Sequence, residues 1–146
     1  MFKTILLAYD GSEHADHALA AAAALTKAFD SDLHIISIPE PNMPPVVLAP
    51  YGAIIDVPPS DEQVAAAGAK VTEQAREKLA AAGVTLSDSH VRRGDPVSNI
   101  LQVVDATDAD LIVMGRRGLG ALKSLALGSV SQSVTQQVKI PCMTII

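Results

Sequence analysis

The sequence predicts an α/β domain in which an open, five-stranded parallel sheet lies between helices on both faces. Three observations carry that expectation. Five short strand-like runs alternate with four helical ones along the 146 residues. The strand runs tend to be apolar at consecutive rather than alternate positions, as strands covered on both faces are. Of all residues 49% are hydrophobic but only 3% aromatic, so the core is built from Ala, Val, Ile and Leu. A chain of this length fits one domain, residues 1–146, with room for a sizeable core.

Each element has its own signal. Ile5-Leu6-Leu7-Ala8 is the first strand, ended by the turn residues Asp10-Gly11-Ser12. From Glu13 to Phe29, a helical stripe gathers Ala15, Ala18, Leu19, Ala22, Leu25, Thr26 and Phe29, and Ser12 is its N-cap. Leu33 to Ile38 is the second strand. Residues 39–59 hold seven of the nine prolines, which excludes a regular element over most of that stretch. Val46, Val47, Leu48, Tyr51, Ile54 and Ile55 make it unusually apolar for a loop, and it is expected to pack on its own domain. Ser60-Asp61-Glu62-Gln63 is a capping box; the helix it opens puts Val64, Val71, Ala75, Leu79 and Ala82 on one face and ends at Gly83. Leu86 to Val91 is the third strand. Asp95-Pro96 joins an N-cap to proline at the first helical position, ahead of the stripe Val97, Ile100, Leu101 and Val104. Leu111 to Met114 is the fourth strand. Ser129-Val130-Ser131-Gln132 repeats the Ser-x-x-Gln capping pattern, with Val130, Val134 and Val138 spaced four apart. Pro141 closes that helix, and Cys142 to Ile146 is the fifth strand.

Charge narrows the partners. Residues 1–110 carry sixteen acidic and seven basic side chains, whereas residues 111–146 carry four basic ones and no acidic one, within a net charge of −5. The overall acidity argues against nucleic acid, and the local basic excess suits one small anion. Cys142 is the only cysteine, so an internal disulfide and a thiolate zinc site are excluded and a reducing compartment is expected. The first residues lack the pattern of a signal peptide, and the longest apolar run, Ala18 to Leu25, is too short for a bilayer. A cytoplasmic protein that does not insert into a membrane is expected.

Ligands of open parallel sheets sit beyond the carboxyl ends of the strands, where strand order reverses. The carboxyl ends with the strongest loop signals are Asp10-Gly11-Ser12, after strand one, and Met114-Gly115-Arg116-Arg117-Gly118, after strand four. Gly115 and Gly118 would let backbone amides approach a polyphosphate. Gly128 and Ser129 would offer helix-start N–H groups and a hydroxyl at the positive end of the helix dipole, and Ser131 a second hydroxyl. Arg116, Arg117 and Lys123 would pair with phosphate oxygens. Asp10 would accept from a sugar hydroxyl or help hold Mg²⁺. The stretch is neither a P-loop, since Lys123 does not follow a glycine, nor a dinucleotide fingerprint, since Gly118-Leu119-Gly120 lacks the third glycine.

The spacing Gly115-x₂-Gly118-x₉-Gly128-Ser129 resembles the ATP-binding signature of the universal stress protein family. The likeness covers the whole chain: Tyr9-Asp10-Gly11-Ser12, Gly94-Asp95-Pro96 and Pro141-Cys142 are similar to the family's strand-one ending, third-helix entry and approach to the last strand. The resemblance implies the adenine-nucleotide alpha-hydrolase-like fold, strand order 3-2-1-4-5, with an adenine nucleotide at the crevice between strands one and four. The adenosine end would rest near Ala8, Tyr9, Asp10 and the backbone of Ile38. The phosphates would meet Gly115, Gly118, Gly128, Ser129, Val130 and Ser131, and Met114 and Arg117 complete the nucleotide-binding set. Homodimers through the last strand, Cys142 to Ile146, are implied too, and would cover an exposed sheet edge. Arg116-Arg117 departs from the family pattern of a small residue then His, and residues 39–59 fall in a variable loop with no transferable role.

The expected function is therefore an ATP- or related adenine-nucleotide-binding regulatory protein of the stress response, a switch or sensor read by a partner protein. The alternatives are a slow ATP-hydrolysing enzyme and a nucleotide-free interaction module. No pair of carboxylates is placed for acid–base work, and Ser129 is not in a nucleophile elbow, so no catalytic residue is assigned. His14 and His17, with Asp10 and Glu13 nearby, read as decoration of a first helical turn rather than metal ligands. Cys142 reads as a buried strand residue without activation.

Overall fold

Burial of both strand faces assembles the apolar runs into one parallel sheet. Its strands are β1 (Thr4–Ala8), β2 (Asp32–Ser37), β5 (Asp88–Val91), β6 (Leu111–Gly115) and β7 (Cys142–Ile145). A separate antiparallel pair is made by β3 (Val46–Leu48) and β4 (Ala53–Ile55). The helices are α1 (Glu13–Phe29), α2 (Asp61–Ala81), α3 (Pro96–Thr107) and α4 (Ser129–Gln137). The structure, a computed structural model, describes residues 1–40, 46–48, 52–55, 57–116 and 128–146.

The main sheet has the order β5-β2-β1-β6-β7, all parallel. Counted over its own five strands this is the expected 3-2-1-4-5. Ala8 lies level with Ile36 on one side and Met114 on the other, so β1, β2 and β6 end together. Side chains alternate between two cores. Ile5, Leu7, Leu33, Ile35 and Val113 pack under α1 and α2, while Leu6, Ile36, Ile112 and Met114 pack under α3 and α4. Two of the central strand residues, Leu6 and Leu7, are wholly shielded though they point to opposite faces.

Local chemistry sets the helix ends. Ser12 accepts the Ala15 N–H at the start of α1, and Asp95 accepts the Ser98 N–H at the start of α3. The capping box of α2 is complete: Ser60 Oγ accepts the Gln63 N–H and Gln63 Oε1 accepts the Ser60 N–H. At its other end the Val84 N–H reaches the Leu79 carbonyl and the Gly83 N–H the Ala80 carbonyl, with Gly83 at φ +71°. That double bond pattern is the Schellman motif, so Gly83 stops the helix as the sequence implies.

Three expectations shift. The Pro-rich segment 39–59 contains the antiparallel β3–β4 pair, whose strands avoid every proline, with Gly52 just before β4 at φ +62°. The third sheet strand starts at Asp88, not Leu86; Leu86 is buried just before it. Helix α4 is capped by Gly128 and not by Ser129, which is its first residue. Among the described residues no helix is long and apolar enough to cross a membrane.

Candidate functional site

The chain leaves adjacent strands β1 and β6 in opposite directions. After β1, the Asp10 carboxylate accepts the Ser12 N–H at 2.9 Å and Gly11 turns at φ +79°, lifting the chain into α1 on one face. After β6, Gly115 and Arg116 lead away, and the chain returns at Gly128 to start α4 on the other face. This divergence at the carboxyl edge is the strand-reversal crevice where open α/β sheets hold ligands.

The start of α4 is built around one carbonyl. Arg116 O accepts the Gly128 N–H at 2.8 Å and the Ser131 hydroxyl at 2.7 Å. Ser131 is only 3% exposed, and its hydroxyl is committed to that carbonyl and to the Gly128 carbonyl at 3.0 Å rather than to the crevice. Gly128 has the extended N-cap conformation but no side chain with which to cap. Helices α1, α2 and α3 each begin with a side-chain oxygen on an N–H of the first turn. The first-turn amides of α4, Ser129, Val130 and Ser131, therefore have no cap from Gly128, and they stand at the positive end of the dipole. Arg116 Nε is buried with no hydrogen-bond partner among the described residues.

Gly115 has a packing reason of its own. A Cβ there would sit 2.8 Å from the His14 carbonyl carbon and 3.0 Å from the Ala15 N, so the first turn of α1 closes over β6 only because Gly115 is bare. Ala8, Met114 and Val130 belong to the α3/α4 core, with Met114 4% exposed. Tyr9 turns to the α1/α2 core, 2% exposed, and brings only backbone to the crevice. Ile38 lines a cleft of about 380 Å³ on the β2–β5 side of the same edge, opposite Arg93 and Gly94. Arg117, Gly118 and Lys123 lie outside the described residues.

Residues 1–145 match the universal stress protein family. The chain belongs to that family. Among its relatives, a universal stress protein of Thermus aquaticus is 39% identical over 145 residues, which is 99% of each chain. A solved universal stress protein in complex with cAMP shares the fold at a TM-score of 0.69 and 24% identity, over 99% of this chain and 97% of that one. Another, from Archaeoglobus fulgidus in complex with dAMP, has a TM-score of 0.69 and 18% identity, over 100% of this chain and 98% of that one.

Two side-chain groups of this universal stress protein have no sequence signal. The first joins Tyr9, Asp16 and Lys78. The Tyr9 hydroxyl donates to Asp16 Oδ1 at 2.6 Å, and Lys78 Nζ donates to the same oxygen at 2.5 Å and to the Tyr9 hydroxyl at 3.3 Å. Burial works to raise the Asp16 carboxyl, but the hydrogen bonds from Lys78 and Tyr9 outweigh it and hold it below the usual value. The Tyr9 hydroxyl is pushed up by burial and by Asp16, and the Lys78 amine by its bond to Asp16. The second group is His34, Asp88 and His90, on β2 and β5, where burial holds His90 below the ordinary histidine value. His14 and His17 do not meet in such a cluster among the described residues; His17 Nδ1 lies 2.8 Å from the Ile146 carbonyl. Cys142 is half-buried with its thiol pushed up by burial, the reverse of activation.

Proposed function

We propose that this family member is a regulatory protein of the stress response that binds ATP or a related adenine nucleotide between the carboxyl ends of β1 and β6. The observation that carries the reading is the start of α4. The first-turn amides of α4 have no side-chain cap, and Arg116, whose carbonyl holds the Gly128 N–H, keeps a buried Nε with no hydrogen-bond partner among the described residues, at the crevice where ligands of such sheets collect. An anionic oxygen would satisfy both, and a phosphate offers several. Two structural neighbours crystallised with cAMP and dAMP make the adenine nucleotide the class to test first.

In this reading the adenosine end rests against Ala8, the backbone of Tyr9, Asp10 and Ile38. The phosphates meet Gly115, Arg117 and Gly118 and the backbone of Gly128, Ser129, Val130 and Ser131, with Met114 completing the nucleotide-binding set at the end of β6. Mg²⁺, when bound, would neutralise phosphate charge, and Asp10 is the carboxylate that would hold it. Binding pulls the end of β6 and the start of α4 onto one ligand and shifts the population of a conformer that a partner reads. The chain acts by binding rather than turnover.

The test is the nucleotide content of protein purified without added nucleotide, released by denaturation and identified by mass spectrometry, followed by calorimetry with ATP, ADP, AMP and cAMP. A co-purified adenine nucleotide or saturable binding supports the reading. Empty protein with no heat and no stabilisation by any of the four overturns it, and rapid multiple-turnover hydrolysis would make the protein an enzyme instead.

A further inference from the structure

The pairing of β5 with β2 brings together three residues far apart in the chain. Register sets His34 opposite Asp88 and Ile36 opposite His90. Because strand side chains alternate, His34, Asp88 and His90 share the face of Ile36, which belongs to the α3/α4 core. One ligand atom from each lies within 4.8 Å of the other two. His34 Nδ1 is 3.4 Å from His90 Nε2, and Asp88 Oδ2 is 3.9 Å from that same Nε2. The two rings are nearly parallel at 14°, with centroids 5.7 Å apart, so they are offset rather than stacked face on.

A nitrogen separation of 3.4 Å is long for a hydrogen bond. It matches two ligand atoms on one tetrahedral zinc ion, which lie about 3.3 Å apart when each bond is about 2.0–2.1 Å. The Asp88 side chain is 63% exposed, so its carboxylate has room to swing through the remaining gap. Two imidazoles and a carboxylate are the donor set of zinc and its first-row neighbours, not of Mg²⁺ or Ca²⁺.

We propose that His34, Asp88 and His90 form a site for a divalent transition-metal ion of the zinc type, bound through His34 Nδ1, His90 Nε2 and an Asp88 oxygen. Water takes the fourth position, as in three-ligand sites generally. The ion ties the edge strand β5, four residues long and bonded to β2 alone in the sheet, to the strand beside it. The site is separate from the proposed nucleotide crevice, since β2 stands between β5 and β1.

The experiment uses the full chain stripped with a chelator and titrated with Zn²⁺ by calorimetry, with Co²⁺ as a visible reporter. One Zn²⁺ per chain, a Zn²⁺-dependent rise in melting temperature and the intense visible bands of tetrahedral Co²⁺ are expected. His34→Gln and His90→Gln should each weaken binding more than about 10-fold, the loss seen even for outer-shell partners of a metal. A His14→Ala/His17→Ala variant should bind as the unmodified protein does. No saturable Zn²⁺ binding, or unchanged affinity in folded His34→Gln and His90→Gln proteins, overturns the proposal. Should those variants not fold, the Co²⁺ spectrum of the unmodified chain decides, and a weak octahedral spectrum counts against the site.

Discussion

Gly115 is the residue at which the proposed site and the packing constrain each other. Its missing Cβ leaves room for backbone of the first turn of α1, which cannot be relieved by a rotamer change. Gly115→Ala should therefore cost about 1–3 kcal/mol of stability, the range for overpacking a tight contact, read as a lower urea midpoint with unchanged slope. A fall well under that range would mean α1 shifts easily and that the glycine is kept for the ligand alone. The Tyr9–Asp16–Lys78 group sets a pH dependence. The folded Asp16 carboxyl lies below its unfolded value, so its stabilisation is present above about pH 4 and is lost as pH falls through the folded value. The side chains of Lys78 and Asp16 are 46% and 39% exposed, so solvent screening keeps this effect under about 1 kcal/mol. Tyr9 and Lys78 are shifted upward, and their contribution is complete below about pH 10 and lost as pH rises through the folded values. Tyr9→Phe should lower stability by about 1 kcal/mol at neutral pH and flatten the alkaline decline. Asp16→Asn should flatten the acid one. Urea titrations across the pH range check both, and an unchanged acid limb in Asp16→Asn would remove this group from the account.

At the scale of elements, α4 gives the sharpest test of the nucleotide reading. Gly128 has φ −63° and ψ 155°, a geometry any N-cap residue adopts, so Gly128→Asp places a carboxylate over the uncapped amides without backbone strain. It should stabilise α4 by about 1 kcal/mol and weaken ATP binding at least about 10-fold, since two anions would compete for one helix start. Stability and affinity thus move in opposite directions, in thermal melts and calorimetry respectively. Equal ATP affinity in Gly128→Asp would place the phosphates elsewhere. The same helix shows how far the sequence is legible. Ser12, Ser60 and Asp95 could be read as caps because each bonds an N–H three residues on, a purely local matter. Ser129 fits the same pattern, yet the deciding acceptor is the carbonyl of Arg116, which holds Ser131 and Gly128 from fifteen and twelve residues away. Strands one, two and four were legible to within a residue or two from apolar runs. The β3–β4 pair was hidden by the density of prolines on either side of it. The His34–Asp88–His90 group could not be seen at all, because it exists only through a parallel register between segments more than fifty residues apart.

Considered as a whole, the molecule has a sheet with two edges, β5 and β7, and an unpaired edge is a template for another strand. The β7 edge carries the apolar signal: Met143 is 37% and Ile146 65% exposed. Pairing of β7 with the β7 of a second copy is the dimer that the family resemblance implies, and the ladder says how to break it alone. Ile112 N–H bonds the Pro141 carbonyl and Arg116 N–H the Ile145 carbonyl, so residues 141, 143 and 145 direct their backbone groups at β6. Cys142 and Thr144, alternating with them, direct theirs at the outer edge. Thr144→Pro removes one outward N–H and no bond to β6, a substitution edge strands tolerate. The monomer should keep its circular dichroism and lose little stability. Sedimentation should report a dimer for the unmodified chain and a monomer for Thr144→Pro. A monomeric unmodified chain would refute the pairing outright, and a dimeric Thr144→Pro would move the interface to another surface.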